Sequence, residues 1–296
     1  MLFASIDIGS NAVRLLFANV FEGQGRIRTD KATLIRIPIR LGLDVFESGR
    51  VSESRVTRLV DTMKAFKLLI EVYGPIDYVA CATSAMREAS NHDEIIQQIQ
   101  DHTGLEIKVI DGMEEAGIIS SFNRMAGIGD GFNTMYVDVG GGSTEISLMA
   151  GERFVASESF RIGTIRLLQE RVEEAEWDRM KNWLRKHTRN LGNLRCIGSG
   201  GNINKLTKIF GSYEHNSLGL VQLTEAEKKL AHLSIDERII QMGLRPDRAD
   251  VILPAARIFR KIMKWAGVDE VVAPKVGLAD GLVLMLYEDY RRKTNP

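Results

Sequence analysis

At 296 residues the chain has room for about two domains of ~150 residues, and 44% hydrophobic with 26% charged residues excludes a disordered or collagen-like polymer. The 39 Lys and Arg balance the 39 Asp and Glu, which argues against a broad nucleic-acid-binding face while leaving room for a local cluster that holds an anion.

Taken in chain order, the predicted elements begin with two β-rich runs, Leu2–Ile8 and Ala12–Val20, either side of Asp7-Ile8-Gly9-Ser10-Asn11; they read as a hairpin with a polar turn. A third strand is expected within Arg26–Leu41. From Val56 to Tyr73 the apolar residues recur at helical spacing, with Ser52 placed to cap and Gly74-Pro75 to stop the helix. Strands at Ile76–Ala82 and Leu105–Ile110 bracket a helix capped by Asn91, and another helix starts near Glu114. After the loop Gly127–Gly131 the opening pattern returns: the apolar run Thr134–Val139 leads into Asp138-Val139-Gly140-Gly141-Gly142-Ser143 and the strand Thr144–Met149. A helix at Ala175–Leu191, a strand Arg195–Ile197, the turn Gly198-Ser199-Gly200-Gly201-Asn202, a largely helical stretch to Gly267, a strand Glu270–Ala273 and a closing helix Asp280–Arg292 complete the chain. This mixture of strands and helices indicates an α/β fold. The repeated Asp-x-Gly turn suggests two related domains, residues 1–126 together with the closing helix 280–296, and residues 127–279, whose turns point into a shared interdomain cleft.

The two cysteines, Cys81 and Cys196, sit in apolar runs and read as buried free thiols. Only six residues precede Asp7, too few for the apolar core of a signal peptide, and no apolar run approaches 18 residues. The expectation is a cytoplasmic protein with neither membrane nor nucleic acid as partner.

Several residue groups could carry chemistry. Without Cβ atoms, Gly140, Gly141 and Gly142 let backbone N–H groups close on phosphate oxygens, and Ser143 and Thr144 add hydroxyls; the same three glycines could also form a plain tight turn. Asp7 and Asp138 are carboxylates placed to meet a magnesium ion, or else turn-formers bonded to their own backbone. Strand alternation puts Glu145 on the face of Ser143 and Ser147, toward the same phosphate or metal, unless it is a solvated edge residue. Asp111 and Glu114 have the spacing of a capping box, which leaves Glu115 about 100° away on the helix as a possible general base. Ser84 and Arg87 follow a strand end, where a guanidinium can pair with phosphate or lie on a helix surface. The second glycine turn, Gly198, Gly200 and Gly201, suits an anion at a helix start or none at all. No P-loop, complete Gly-x-Gly-x-x-Gly, His-Glu-x-x-His or Cys-x-x-Cys occurs, and the five histidines form no ligand set.

Asp7-Ile8-Gly9-Ser10-Asn11, Arg40-Leu41-Gly42, Ala82-Thr83-Ser84-Ala85-Met86-Arg87-Glu88-Ala89, Glu114-Glu115-Ala116, Asp138 to Glu145 and Gly198-Ser199-Gly200-Gly201 stand in the order and spacing of one family. From Leu2 to Leu284 the chain resembles the exopolyphosphatase / guanosine pentaphosphate phosphohydrolase family of the actin–hexokinase–Hsp70 superfamily, in its short form without the C-terminal helical domain. The resemblance implies two actin-like (ribonuclease H-like) domains and Mg2+-dependent hydrolysis of a terminal phosphoanhydride. It implies Glu115 as the base that activates water, Glu145 and Asp138 at metal and phosphate, and Ser10, Asn11, Gly141, Gly142, Ser143, Ser84 and Arg87 as phosphate contacts. A homodimer is implied as well. Asn202 stands where the family often has threonine, and Ala279-Asp280 where it has Arg-Glu. The expected reaction is release of orthophosphate from the end of inorganic polyphosphate. Removal of the 5′ γ-phosphate of pppGpp is the alternative substrate, and a non-catalytic phosphate or nucleotide sensor the alternative of another class.

Overall fold

Two strand–turn–strand hairpins of the same construction organise the chain. The computed structural model describes residues 1–23, 26–125, 127, 131–212 and 214–294. Ala126 and residues 128–130 lie outside them, and with them most of the expected Gly127–Gly131 loop and the expected 126/127 boundary. The chain divides into two compact units, Met1–Ile128 with Leu278–Pro296, and Gly129–Gly277.

In the first unit β1 (Leu2–Ile8), β2 (Val13–Gly23) and β3 (Arg26–Ile37) form an antiparallel meander. Next come α1 (Leu41–Ser48), α2 (Glu53–Tyr73), β4 (Tyr78–Ala82), α3 (Ser84–Glu88), α4 (His92–Thr103), β5 (Ile107–Val109) and α5 (Gly112–Met125). The strand order is β3-β2-β1-β4-β5, with β4 parallel to both β1 and β5. Helix α2 ends at Gly74, whose φ of 57° lets its N–H close on the Ile70 carbonyl at 3.0 Å, a conformation that costs glycine little. Its expected cap works differently: the Ser52 hydroxyl lies 3.3 Å from Ser54 Oγ, while the Ser52 carbonyl accepts from Arg55 and Val56 N–H. Asn91 likewise precedes α4 without capping it, because its amide side chain bonds both the N–H and the carbonyl of Val51 at 3.0 Å.

The second unit repeats the plan with β6 (Asn133–Val139), β7 (Thr144–Ala150) and β8 (Arg153–Phe160), followed by α6 (Thr164–Leu168), α7 (Glu174–Thr188), β9 (Arg195–Ser199), α8 (Gly201–Phe210), β10 (Ser217–Gly219), α9 (Leu220–His232), α10 (Ile235–Met242), α11 (Pro246–Ala249), α12 (Ile252–Ala266) and β11 (Glu270–Val272). The order is β10-β11-β9-β6-β7-β8, with β9 parallel to β6 and β11. Met135, Val137, Ile146, Leu148 and Phe160 meet Phe259 and Ile262 in its core, together with Trp177.

The last helix, α13 (Leu278–Thr294), belongs to the first unit. Phe3 packs edge-on against Tyr287, the Ser5 hydroxyl donates to the Ala279 carbonyl at 2.8 Å, and Asp280 pairs with Lys31 at 2.8 Å. Gly281 permits the close crossing with α5, since a Cβ there would stand 2.6 Å from Ile118 Cγ2. Among the described residues no helix is long and apolar enough to cross a membrane.

Candidate active site

In open α/β sheets ligands collect at the carboxyl ends of the parallel strands. In the first unit Ile8, Ala82 and Val109 are aligned across β1, β4 and β5, so the segments that follow them emerge at one end of the sheet. These segments carry Ser10 and Asn11, Ser84 and Arg87, and Glu115. Ser10 and Ser84 share a hydrogen bond of 2.8 Å between buried hydroxyls. Arg87 donates from Nη1 to the Ile110 carbonyl at 2.7 Å, which fixes the guanidinium plane while a guanidinium has five N–H donors to offer.

Asp111 caps α5 by accepting from the N–H groups of Met113 and Glu114, both at 2.8 Å. The reciprocal half of the expected capping box is missing, because Glu114 pairs instead with Lys108. Glu115 is buried in the first turn of α5 and has no part in that capping. Cys81, in β4, has its thiol pushed up to about 12 by burial, with Glu114, Asp7 and Glu115 adding to the rise against Lys108.

Asp7 is buried and ion-paired with Arg14, its cross-strand partner on β2. In the second unit the equivalent position is Asp138, and its cross-strand partner on β7 is Glu145. The comparison is strict in register: Ile8 faces Val13 as Val139 faces Thr144, and each turn closes through one hydrogen bond, Gly9 N–H to the Ala12 carbonyl at 3.2 Å and Gly140 N–H to the Ser143 carbonyl at 2.9 Å. One hairpin therefore sets a carboxylate against a guanidinium, and the other sets two carboxylates side by side. Like charges directly opposite on a sheet repel, and a divalent cation relieves that repulsion with the oxygen donors it favours. Asp138 and Glu145 fit a metal by the chemistry of their donors, and Asp7 is ion-paired with Arg14.

Glu145 is 2% exposed, and its Oε1 accepts from the Ser159 hydroxyl at 2.8 Å. Ser147 and Ser157 pair next along the same face at 2.9 Å, with Ile146 and Leu148 turned to the core, as the alternation requires.

The Gly140–Gly142 turn lies against the start of α6. Gly163 has no room for a side chain, since a Cβ would stand 2.4 Å from the backbone of Gly141 and Gly142. Thr164 N–H donates to the Gly140 carbonyl at 3.0 Å, Ile165 N–H to the Gly141 carbonyl at 2.8 Å, and Arg166 Nε to the Gly142 carbonyl at 2.9 Å.

The second glycine turn stands beside this one because Ser199, the last residue of β9, is the register partner of Asp138. Gly200 has φ 99°, and a Cβ on it would stand 3.1 Å from Asp138 Oδ1. Gly201 opens α8 beneath Arg248, whose Nη2 is 2.9 Å from where a Cβ would lie, and burial together with Lys208 and Arg248 lowers the pKa of nearby Lys205. Gly198 meets Ile203, Val271 and Phe259 in the core, so its part is packing.

Sequence reasoning passed over Arg166, Ser159 and the buried Ser199. Arg166 and Ser159 lie outside the motifs that draw the eye, and Ser199 lies inside the Gly198–Gly201 turn, where only the glycines were given a role. For Arg166 a signal exists, since Ile39-Arg40-Leu41 and Ile165-Arg166-Leu167 repeat one tripeptide near the start of the helix that follows the third strand in each half.

Residues 33–289 match the Ppx/GppA phosphatase family. The chain belongs to that family. Among relatives, it is 28% identical over 315 residues to exopolyphosphatase 2 of Mycobacterium tuberculosis, covering 96% of this chain and 98% of that protein. It is 29% identical over 311 residues to a bifunctional 3-dehydroquinate synthase/phosphatase of Fusobacterium nucleatum, where 96% of this chain corresponds to 46% of that longer protein. Among solved structures, an Aquifex aeolicus Ppx/GppA family member superposes with a TM-score of 0.76 at 26% identity over 100% of this chain and 99% of that one. An exopolyphosphatase from Cytophaga hutchinsonii superposes with a TM-score of 0.81 at 21% identity, covering 98% of each chain, which shows the fold. The two-sheet α/β, actin-like fold expected from the sequence is the fold of these Ppx/GppA structures.

Proposed function

We propose that this Ppx/GppA phosphatase is an exopolyphosphatase that releases orthophosphate from the end of inorganic polyphosphate. The observation that carries the reading is the second hairpin, where a glycine turn with its carbonyls held back adjoins the Asp138–Glu145 carboxylate pair. Such a turn offers amides to phosphoryl oxygens, and such a pair offers oxygens to a cation that phosphates also bind.

Mg2+ at Asp138 and Glu145 would neutralise charge on the bound phosphates. Gly141, Gly142 and Ser143 bind the terminal phosphoryl group through N–H and hydroxyl donors. Ser10, Asn11, Ser84 and Arg87 hold the phosphate on the side of the first unit. Glu115 acts as the base, accepting a proton from the water that attacks phosphorus in line with the departing bridge oxygen. Little covalent chemistry is asked of the protein, because charge spreads over the phosphoryl oxygens and fixed donors stabilise it. The reading takes the enzyme as a homodimer, on the family resemblance, and keeps the cytoplasmic location expected from the sequence.

The test is orthophosphate release from polyphosphates of several lengths and from pppGpp, with Mg2+ and with EDTA. Release from polyphosphate that EDTA abolishes supports the reading. Faster release from pppGpp would make the nucleotide the substrate, and binding of either without release would leave a sensor.

A further inference from the structure

We infer that Arg166 is a positioning residue for the phosphate turn, acting through the peptide unit that joins Gly142 to Ser143. This inference rests on the reading of Gly140–Ser143 as the turn that binds phosphate. A trans peptide is planar, and its N–H points opposite to its C=O. The chain has no cis peptide among its described residues. The carbonyl of Gly140 therefore governs the N–H of Gly141, that of Gly141 the N–H of Gly142, and that of Gly142 the N–H of Ser143. The first two carbonyls are held by backbone N–H groups at the start of α6, from Thr164 at 3.0 Å and Ile165 at 2.8 Å. The third is held by a side chain, Arg166 Nε at 2.9 Å. With all three carbonyls drawn to the same side, the three amides are turned to the other. None of these amides has a backbone acceptor among the described residues.

Arg166 is 5% exposed, so its charge lies beneath the turn rather than in solvent. A carbonyl that accepts from a cationic donor makes the N–H of the same peptide a stronger donor in its turn. The guanidinium thus aims the Ser143 amide and strengthens it toward an anion on the far side.

The first unit shows the simpler version of the clamp. There Ile39-Arg40-Leu41 leads into α1, Arg40 N–H donates to the Asn11 carbonyl at 3.1 Å, and Gly42 N–H to the Ser10 carbonyl at 2.9 Å. Arg40 adopts φ 62° and ψ 45°, a left-handed conformation uncommon for a residue with a side chain, which brings the start of α1 onto the turn. In both units the start of the helix after the third strand restrains the turn through backbone N–H groups, with the side-chain bond added in the second.

The test compares wild type with Arg166→Met and Arg166→Lys, reading the inhibition constant of orthophosphate and the KM and kcat for tripolyphosphate. Unit integrity is followed through Trp177, Trp183 and Trp265, all of which lie in the second unit. Loss of one aligned donor of three is expected to raise the phosphate constant and KM about tenfold in Arg166→Met, with kcat changed less than about threefold, because the turn holds phosphate before and during the reaction. Arg166→Lys keeps a cation beneath the turn and should recover part of the loss. If Arg166→Met loses native tryptophan emission, Gly163→Ala takes its place; its Cβ would push the turn from α6 while Arg166 remains, with the same rise expected. Folded variants with wild-type phosphate affinity and KM overturn the inference alone. A wild-type protein that neither binds phosphate nor hydrolyses tripolyphosphate overturns the phosphate reading and the inference with it.

Discussion

Asp138 and Glu145 are direct cross-strand partners, at the positions that Asp7 and Arg14 occupy in the first hairpin. A single difference of residue type, Glu145 against Arg14, turns a neutralised pair into a carboxylate pair. The proposed division of labour follows from it: cation chemistry in the second unit, and a hairpin held by its own ion pair in the first.

Replacing Glu145 with Gln removes one of the two charges while keeping size and the acceptor for Ser159. The account expects Mg2+ affinity to fall at least ~10-fold and turnover at least ~10²-fold, with the unfolding midpoint unchanged or raised because the repulsion is gone. Calorimetric titration with Mn2+ as the probe reads the binding directly.

Arg14→Ala should act on stability. It leaves the Asp7 carboxylate, 3% exposed, without its cationic partner. Stranding a buried charge is strongly destabilising, so a loss of about 2–4 kcal/mol is expected in urea unfolding followed by circular dichroism. Asp7→Asn added to Arg14→Ala should return more than half of it, since the stranded charge is then absent.

Much of the fold was legible in the sequence because alternation and turn chemistry agreed. The β1–β2 and β6–β7 hairpins have apolar strands flanking glycine turns, and α2 pairs helical periodicity with a glycine stop. Strand β8 was not legible: Arg-Phe-Val-Ala-Ser-Glu-Ser-Phe lacks apolar alternation, with Ser157 and Ser159 bonded to Ser147 and Glu145 on the face away from the core and Glu158 opposite Ile146 on the other. Helix α6, with five residues, is too short for periodicity to show, so the Arg166 clamp stayed hidden with it. Ser52 and Asn91 were placed correctly at helix starts, yet residue type could not reveal that Asn91 would serve Val51 instead. Of the site, the glycine turns and acidic residues were legible as motifs. The ion pair that occupies Asp7 was not, because it depends on a register partner seven residues away.

Gly200→Ala tests the second glycine turn. At φ 99° an alanine is strained, and its Cβ would press on Asp138 Oδ1 at 3.1 Å. Turnover is expected to drop at least ~10-fold as Asp138 is displaced, with weaker Mn2+ binding in the same titration.

The buried thiols give a prediction in pH. Burial pushes both Cys81 and Cys196 up to about 12, above the ~8.5 of a thiol in unfolded chain. The native state therefore keeps its protons where the unfolded state loses them. The resulting stability is complete below about pH 8.5 and is lost as pH rises toward 12. At pH 8 a disulfide reagent should label neither thiol rapidly in the native protein and both after denaturation.

The central claim is that Glu115 activates water against a phosphate held at the Asp138–Glu145 hairpin. Its most direct test is Mg2+-dependent orthophosphate release from polyphosphate by wild type and Glu115→Gln, alongside polyphosphate binding by each. A positioned base contributes about 10²–10⁴ in rate, so the account expects turnover to fall at least ~10²-fold while binding is kept. A Glu115→Gln variant that turns over at the wild-type rate would contradict it.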